Sequence, residues 1–392
     1  MNKQTGTSIS NAIDLLQQYI ESQQFKGYDP YDMLNSVIPF RISGTFGAAV
    51  ATQLHKRNPF NLRPILGIKK GYNPKALGLL LSAYCKRQQL RPELDYTDQI
   101  HQLLSLLQQC QSKGFHGSCW GYNFAWASPG KFLPAYAPSG VVTAFVAKGL
   151  HACYEVTGNV VALNLLKGTA DFILNDLKRV EYEAGTCISY TPYQQDCCYN
   201  ASLLAAETLA RVYAVTGDAA LKEVSLRAVS FVISRQQEDG RWNYSWNKKN
   251  GTERAQIDFH QGYVIDSIDT IRKLTGVEWP EAVKAVEKGL EFYRTRQFTA
   301  DGQSLWRYPA VYPVDIHNQS QGIITFAKKG DTFATTIATW TIQNMFDRER
   351  GYFYYRKYPS FTNKISYLRW SNAWMLVALA ELESCQTLQP TK

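Results

Sequence analysis

Leu209-Ala-Arg-Val-Tyr-Ala-Val-Thr-Gly217 closes on a dipeptide that returns at a fixed interval. Thr157-Gly158, Thr216-Gly217 and Thr275-Gly276 are separated by two equal steps of 59 residues (216 − 157 and 275 − 216). Each copy ends a stretch with an apolar stripe at helical spacing: Leu150–Tyr154–Val156, Leu209–Val212–Tyr213–Val215 and Ile268–Ile271–Leu274. A glycine just past the last periodic residue is a helix stop. A repeat of this length predicts stacked helical units that turn the same helix end to the same side.

Composition separates two kinds of helix. Stretches that are apolar or small all round belong inside: Pro74–Tyr84, Ser139–Tyr154, Tyr199–Tyr213, Gln261–Leu274, Ser320–Lys328 and Trp370–Glu383. More charged amphipathic stretches alternate with them: Ser10–Gln23, Tyr96–Gln111, Val160–Leu177, Ala219–Gln236, Trp279–Arg296 and Thr332–Phe346. Six pairs of about 65 residues each predict an all-α (α/α)6 toroid, a six-hairpin barrel, as a single domain over residues 1–392. Residues 39–73 lack a clear period. The glycine-rich run Ile42-Ser-Gly-Thr-Phe-Gly-Ala48 within them lacks the lysine and the strand–helix setting of a phosphate loop.

The outer-to-inner connections repeat as well. They read Gly117-Ser-Cys-Trp-Gly-Tyr122, Thr186-Cys-Ile-Ser-Tyr190, Asp239-Gly-Arg-Trp-Asn-Tyr244, Asp301-Gly-Gln-Ser-Leu-Trp306 and Arg350-Gly-Tyr-Phe-Tyr-Tyr355. A glycine turn followed by alternating aromatics predicts a short hairpin strand in each, on the face opposite the Thr-Gly turns. Elaborated loops on one face of a repeat fold mark the binding face. Inner-helix N-termini, with their positive dipole ends, open onto it.

Hydrophobic residues make up 45% of the chain and charged residues 19%, which allows a large core. Aromatics reach 13%, with 24 Tyr and 9 Trp, beyond what packing alone requires and suited to stacking on sugars. The net charge of +9 favours an acidic partner, but no Lys/Arg run or nucleic-acid motif accompanies it, so nucleic acid is not expected. No secretory signal and no transmembrane stretch is read in the sequence, and the expected location is cytoplasmic. The eight cysteines lack CxxC spacing and read as buried thiols, with Cys197-Cys198 a candidate reactive pair. No cofactor motif is present, and no zinc signature.

Asp258-Phe-His260 and Asp315-Ile-His317 are the most specific local pattern, repeated 57 residues apart (317 − 260) just before two inner helices. Two histidines and two aspartates on neighbouring sectors of one rim can supply a general base and a general acid to opposite faces of a substrate. The competing reading makes each Asp a helix cap and each His a loop anchor. Asp32, in Tyr28-Asp-Pro-Tyr-Asp32, is a further candidate carboxylate, or the cap of the helix after it. Candidate sugar-holding residues at the other rim positions are Trp120, Tyr122, Trp126, Tyr199, Asn200, Gln261, Gln319, Gln321, Arg369 and Trp370.

At these residues the sequence resembles the six-hairpin (α/α)6 carbohydrate-active proteins, in particular bacterial proteins linked to exopolysaccharide biosynthesis. Tyr28-Asp-Pro-Tyr-Asp32, Trp120-Gly-Tyr122, the Thr-Gly endings and Tyr312-Pro-Val-Asp-Ile-His317 carry the likeness. The last of these resembles the C-terminal domain of glucuronyl C5-epimerases. The resemblance implies an enzyme of surface-polysaccharide metabolism acting on an acidic poly- or oligosaccharide, by epimerisation or elimination, with glycoside hydrolysis as the alternative. Ala228-Val-Ser-Phe231 with Gln236-Gln-Glu-Asp-Gly-Arg-Trp242 also resembles the Gln–Trp repeat of terpene cyclases, although the Asp-rich motif of that chemistry is absent. A non-catalytic glycan-binding scaffold is the remaining reading.

Overall fold

The computed structural model describes residues 3–40, 44–128, 131–247 and 250–388. Thirteen α-helices lie among them: α1 Lys3–Ser22, α2 Gly44–Arg57, α3 Pro74–Leu90, α4 Thr97–Gln109, α5 Gly140–Thr157, α6 Val160–Asn175, α7 Tyr199–Thr216, α8 Ala219–Ile233, α9 His260–Thr275, α10 Pro280–Gln297, α11 Ile316–Lys328, α12 Phe333–Met345 and α13 Ala373–Leu388. The odd-numbered helices α3 to α13 pack each on the next, and α13 returns to α3, so the inner ring is closed. The even-numbered helices α4 to α12 lie outside it, and α1 completes the outer layer against α13 and α12. The architecture is the (α/α)6 toroid. No helix among the described residues is long and apolar enough to cross a membrane.

The Thr-Gly endings are helix stops of one kind. Gly158, Gly217 and Gly276 follow α5, α7 and α9 in the left-handed region, at φ 66°, 74° and 64°. Conformation, and not crowding, selects glycine there, since a Cβ would meet nothing within 4 Å. Inside the ring the reason is steric. A Cβ on Gly149 of α5 would lie 2.4 Å from the Gly78 carbonyl oxygen of α3, so these two helices approach to backbone contact.

The opposite face carries the long connections, and here the expected strands are only partly present. Thr186–Ile188 falls in β4 (Gly185–Ile188), paired with β3 (Arg179–Tyr182), and Tyr352–Phe353 forms β9, paired with β8 (Phe346–Asp347). Residues 117–122, 239–244 and 301–306 make at most isolated bridges. Two hairpins form further along, β1 (Trp126–Ser128) with β2 (Lys131–Leu133) and β5 (Ser245–Asn247) with β6 (Thr252–Arg254). β7 (Val314–Asp315), β10 (Arg356–Lys357) and β11 (Thr362–Asn363) make a three-stranded sheet.

What these connections share is a brace from the following inner helix. Backbone N–H groups of Trp120, Ile188, Trp242, Ser304 and Phe353 donate to Thr143 Oγ1, Ser202 Oγ, Gln261 Oε1, Gln319 Oε1 and Asn372 Oδ1, at 3.1, 2.9, 2.9, 2.6 and 2.9 Å. Each acceptor sits near the start of its helix, so the repeat continues in hydrogen bonding although the residue types differ. Indole N–H groups add a second tie, Trp120 to Leu107 O at 2.8 Å and Trp242 to Val232 O at 2.9 Å.

Helix α2 is the element that the period does not reveal. It arises in the aperiodic stretch, buries Ala48, Ala49, Thr52 and His55, and brings Gln53, Lys56 and Arg57 to the rim of the ring. Of the glycine-rich run, Ile42 and Ser43 lie outside the described residues, and Gly44–Ala48 opens this helix.

Candidate functional site

A cavity of about 1130 Å³ opens at the inner-helix N-termini. Of the residues singled out in the sequence, Tyr122, Trp126, Asn200, Asp258, His260, His317, Arg369 and Trp370 line it.

Asp258 precedes α9, is buried, and accepts from the His260 amide at 3.2 Å and from Gln256 Nε2 at 3.0 Å. Its Oδ1 also pairs with His260 Nδ1. Burial opposes ionisation of this carboxyl, but the charge and hydrogen bonds of His260, with Arg307, outweigh it and hold its pKa below the usual range. A carboxylate at Nδ1 puts a proton there and leaves Nε2 with its lone pair.

His317 is the second residue of α11 and has a different environment. Its Nε2 is 2.6 Å from the Tyr263 hydroxyl, and its Nδ1 is buried without a hydrogen-bond partner among the described residues. Its ring stacks on Phe259 at 4.1 Å and 14° and packs against Trp370 and Trp374. Burial, then the charges of Lys75, Arg369 and His260, push its pKa well below the usual histidine value, so it is a neutral imidazole at neutral pH. The His260 ring packs on the same Phe259, at 4.2 Å. The two imidazoles therefore share one aromatic wall.

The other residues singled out are held away from the cavity lining. Asp315 caps α11 through the His317 amide at 2.9 Å and binds Arg356 Nε at 2.7 Å and the Trp370 indole at 2.8 Å. Asp32 begins a 3-10 turn instead of capping it, and pairs with Arg63 at 2.8 Å and His55 at 3.5 Å. Trp120, Gln261 and Gln319 are the loop fasteners described above. The Tyr199 hydroxyl donates to Glu253, and Gln321 donates to Asp266 at 3.0 Å and Thr325 at 2.9 Å. Each of these contacts satisfies a buried polar group, which is the structural side of the two readings. Cys197 and Cys198 are buried, and burial pushes the Cys198 thiol up to about 12, away from a reactive thiolate.

Several lining residues escaped the sequence reading. Tyr263 follows His260 by three positions and so shares its helix face, a legible signal. Lys75 opens α3 just after the Asn73 cap. Lys56 comes from the aperiodic α2, donates to the Tyr31 hydroxyl, and lies 4.1 Å from the Tyr31 ring centre. Burial, then Arg356, push the Lys56 pKa down to about 7. Among the described residues, seven Lys and Arg side chains line the cavity (Lys56, Arg57, Lys75, Arg254, Arg307, Arg356, Arg369) against two carboxylates, Asp196 and Asp258. The field inside favours an anion. Flat rings of Tyr122, Trp126, Tyr244, Trp306 and Trp370 supply stacking surface around it.

No family model and no curated protein matches the chain. Solved structures do. A cellobiose 2-epimerase from Bacillus thermoamylovorans is similar at TM-score 0.64 and 16% identity, covering 81% of this chain and 88% of its own. A GH76 alpha-mannanase from Bacteroides thetaiotaomicron is similar at TM-score 0.62 and 15% identity, covering 81% and 87%. An unsaturated glucuronyl hydrolase specific for heparin is similar at TM-score 0.64 and 12% identity, covering 98% of both chains. At these identities the likeness establishes the shared six-hairpin toroid.

Proposed function

We propose that this protein is a carbohydrate-active enzyme that moves a proton at a sugar carbon beside a carboxylate, as an epimerase or lyase on a uronic-acid-containing glycan. The toroid works as one unit, and the proposed setting is cytoplasmic surface-polysaccharide metabolism. The observation that carries the reading is the pair of unlike proton carriers on one aromatic wall, the Asp258–His260 dyad and the His317–Tyr263 pair. Six-hairpin neighbours that process sugars add support.

His260 Nε2 is the base. It takes the proton from the carbon adjacent to the carboxylate, the C–H electron pair moves toward the carboxylate oxygens, and the cationic lining stabilises the charge that builds there. Asp258 orients the ring and stabilises the imidazolium. The His317–Tyr263 pair returns a proton to the opposite face, which inverts the centre. If the adjacent carbon instead loses its oxygen substituent, the same pair protonates the leaving group and an unsaturated sugar results. Tyr122, Trp126, Asn200, Arg369 and Trp370 hold the sugar.

The test is incubation with a panel of uronate-containing oligosaccharides in deuterated water. Deuterium at the carbon beside the carboxylate, or an ultraviolet-absorbing unsaturated product, supports the reading. New reducing ends without either would transfer it to glycoside hydrolysis, and binding without turnover to a scaffold. His260→Ala and His317→Ala, each folded, should both abolish exchange.

A further inference from the structure

Five Lys or Arg side chains are buried among the described residues: Arg63, Lys75, Arg87, Arg356 and Arg369. Four of them face carboxylates. Arg63 meets Asp32 at 2.8 Å, Arg87 meets Asp14 at 3.0 Å, Arg356 meets Asp315 at 2.7 Å, and Arg369 Nη2 meets Asp29 at 2.8 Å. Lys75, with 3% of its surface exposed, has no ion pair and no side-chain hydrogen bond among the described residues. Its ammonium instead lies over rings, 4.1 Å from the centre of Phe145, 5.2 Å from Trp374 and 5.8 Å from Tyr263.

Aromatic faces recover only part of the hydration that an ammonium loses on burial. A buried charge of this kind calls for a counter-charge, and among the described residues none is in contact, Asp29 acting only from a distance. Burial, then the charge of Arg369, push the Lys75 pKa well below the usual lysine range, so the protein by itself disfavours the ammonium. Yet Lys75 lines the cavity, where a ligand can reach it. Its location is specific too. Trp374 and Tyr263, two of the three rings around it, also contact His317.

Resting on the proposed carbohydrate reading, we infer that Lys75 is the seat of the substrate's carboxylate, the residue that makes this cavity select a uronic sugar over its neutral counterpart. The substrate completes the ion pair that the fold leaves open. Its carboxylate then sits against the aromatic group shared with His317, which places the adjacent carbon beside the proton carriers. Arg369 and Arg356, already paired, contribute field and not the primary contact. Lys56 lies over the Tyr31 and Trp370 rings, at 4.1 and 5.6 Å, and differs from Lys75 in having a hydrogen-bond partner, the Tyr31 hydroxyl.

Calorimetric titration of the full chain with D-glucuronate and D-galacturonate, each beside D-glucose and D-galactose, tests this. Wild type should prefer the uronate by about tenfold or more, the range of one hydrogen bond to a charged group. Lys75→Met should remove most of that preference and leave neutral-sugar affinity unchanged, and Lys75→Arg should keep part of it. Circular dichroism checks that the variants are folded, with Lys75→Gln as the alternative if the methionine disrupts packing. Equal wild-type affinity for acid and neutral sugars overturns the Lys75 seat while leaving the carbohydrate reading standing. So does a folded Lys75→Met protein that keeps the full wild-type preference for the uronate. Binding of neither sugar overturns the carbohydrate reading and the seat with it.

Discussion

The Tyr263 hydroxyl of α9 stands 2.6 Å from His317 Nε2 of α11, joining two neighbouring sectors of the inner ring across the cavity wall. Removing only the hydroxyl isolates its role. Tyr263→Phe keeps the ring that packs on Trp374 and should lower kcat about a hundredfold, with little change in KM. An unchanged kcat in the folded variant would remove Tyr263 from proton transfer.

The same histidine sets a pH dependence of stability. Its folded pKa is lowered, so below the unfolded value of about 6.5 the unfolded chain binds a proton that the folded chain refuses. Stability is therefore complete above that value and declines as pH falls below it. His151, pushed down to about 4 by burial and then Arg211, has the same sign and adds to the decline. His317→Asn should flatten the fall in Tm between about pH 7 and 5 without abolishing it. A Tm profile parallel to wild type would contradict the assignment.

Gln319 offers a test of brace against ligand contact. Gln319→Leu leaves the Ser304 amide and the Gly302 carbonyl without their partner and should destabilise by about 1–3 kcal/mol in urea unfolding. The folded fraction should turn over substrate at the wild-type rate. A selective loss of affinity with stability intact would return Gln319 to the sugar site.

Two glycines separate steric from conformational need. Gly149→Ala forces a Cβ against the Gly78 carbonyl and should cost about 1–3 kcal/mol or more, since α3 and α5 must move apart. Gly217→Ala, at φ 74° in open space, should cost about 1–2 kcal/mol. A gain of stability in Gly149→Ala, the roughly 0.5–1 kcal/mol that an unhindered helix glycine would give, would count against a backbone contact between α3 and α5.

The Thr-Gly period and the alternation of apolar and charged helices were legible because both are local. A helix stop depends on one residue's φ, and an all-round apolar helix is inner wherever it occurs. Asp258 and His260 were legible as a pair two residues apart. Asp315 and His317 show the same spelling, yet only His317 reaches the cavity, because Arg356 and Trp370, 41 and 55 residues later, claim the carboxylate. Gln261 and Gln319 read as rim amides and proved to be loop braces for a similar reason: their partners are backbone groups, which a sequence of side chains does not display.

By itself, then, the sequence determined the ring, its handedness of faces (plain turns at one end, ornate loops at the other) and the helix ends from which a site would be built. These follow from periodicity and from single-residue backbone preferences, which need no distant partner. Only the tertiary structure decided which side chains face the cavity and which are spent on holding it. It brought α2 over the rim, gave His260 and His317 unlike environments, and left Lys75, of the five buried Lys and Arg side chains among the described residues, without a carboxylate in contact. Burial and ion pairing are properties of neighbours far apart in the chain, so they exist only once the ring has closed.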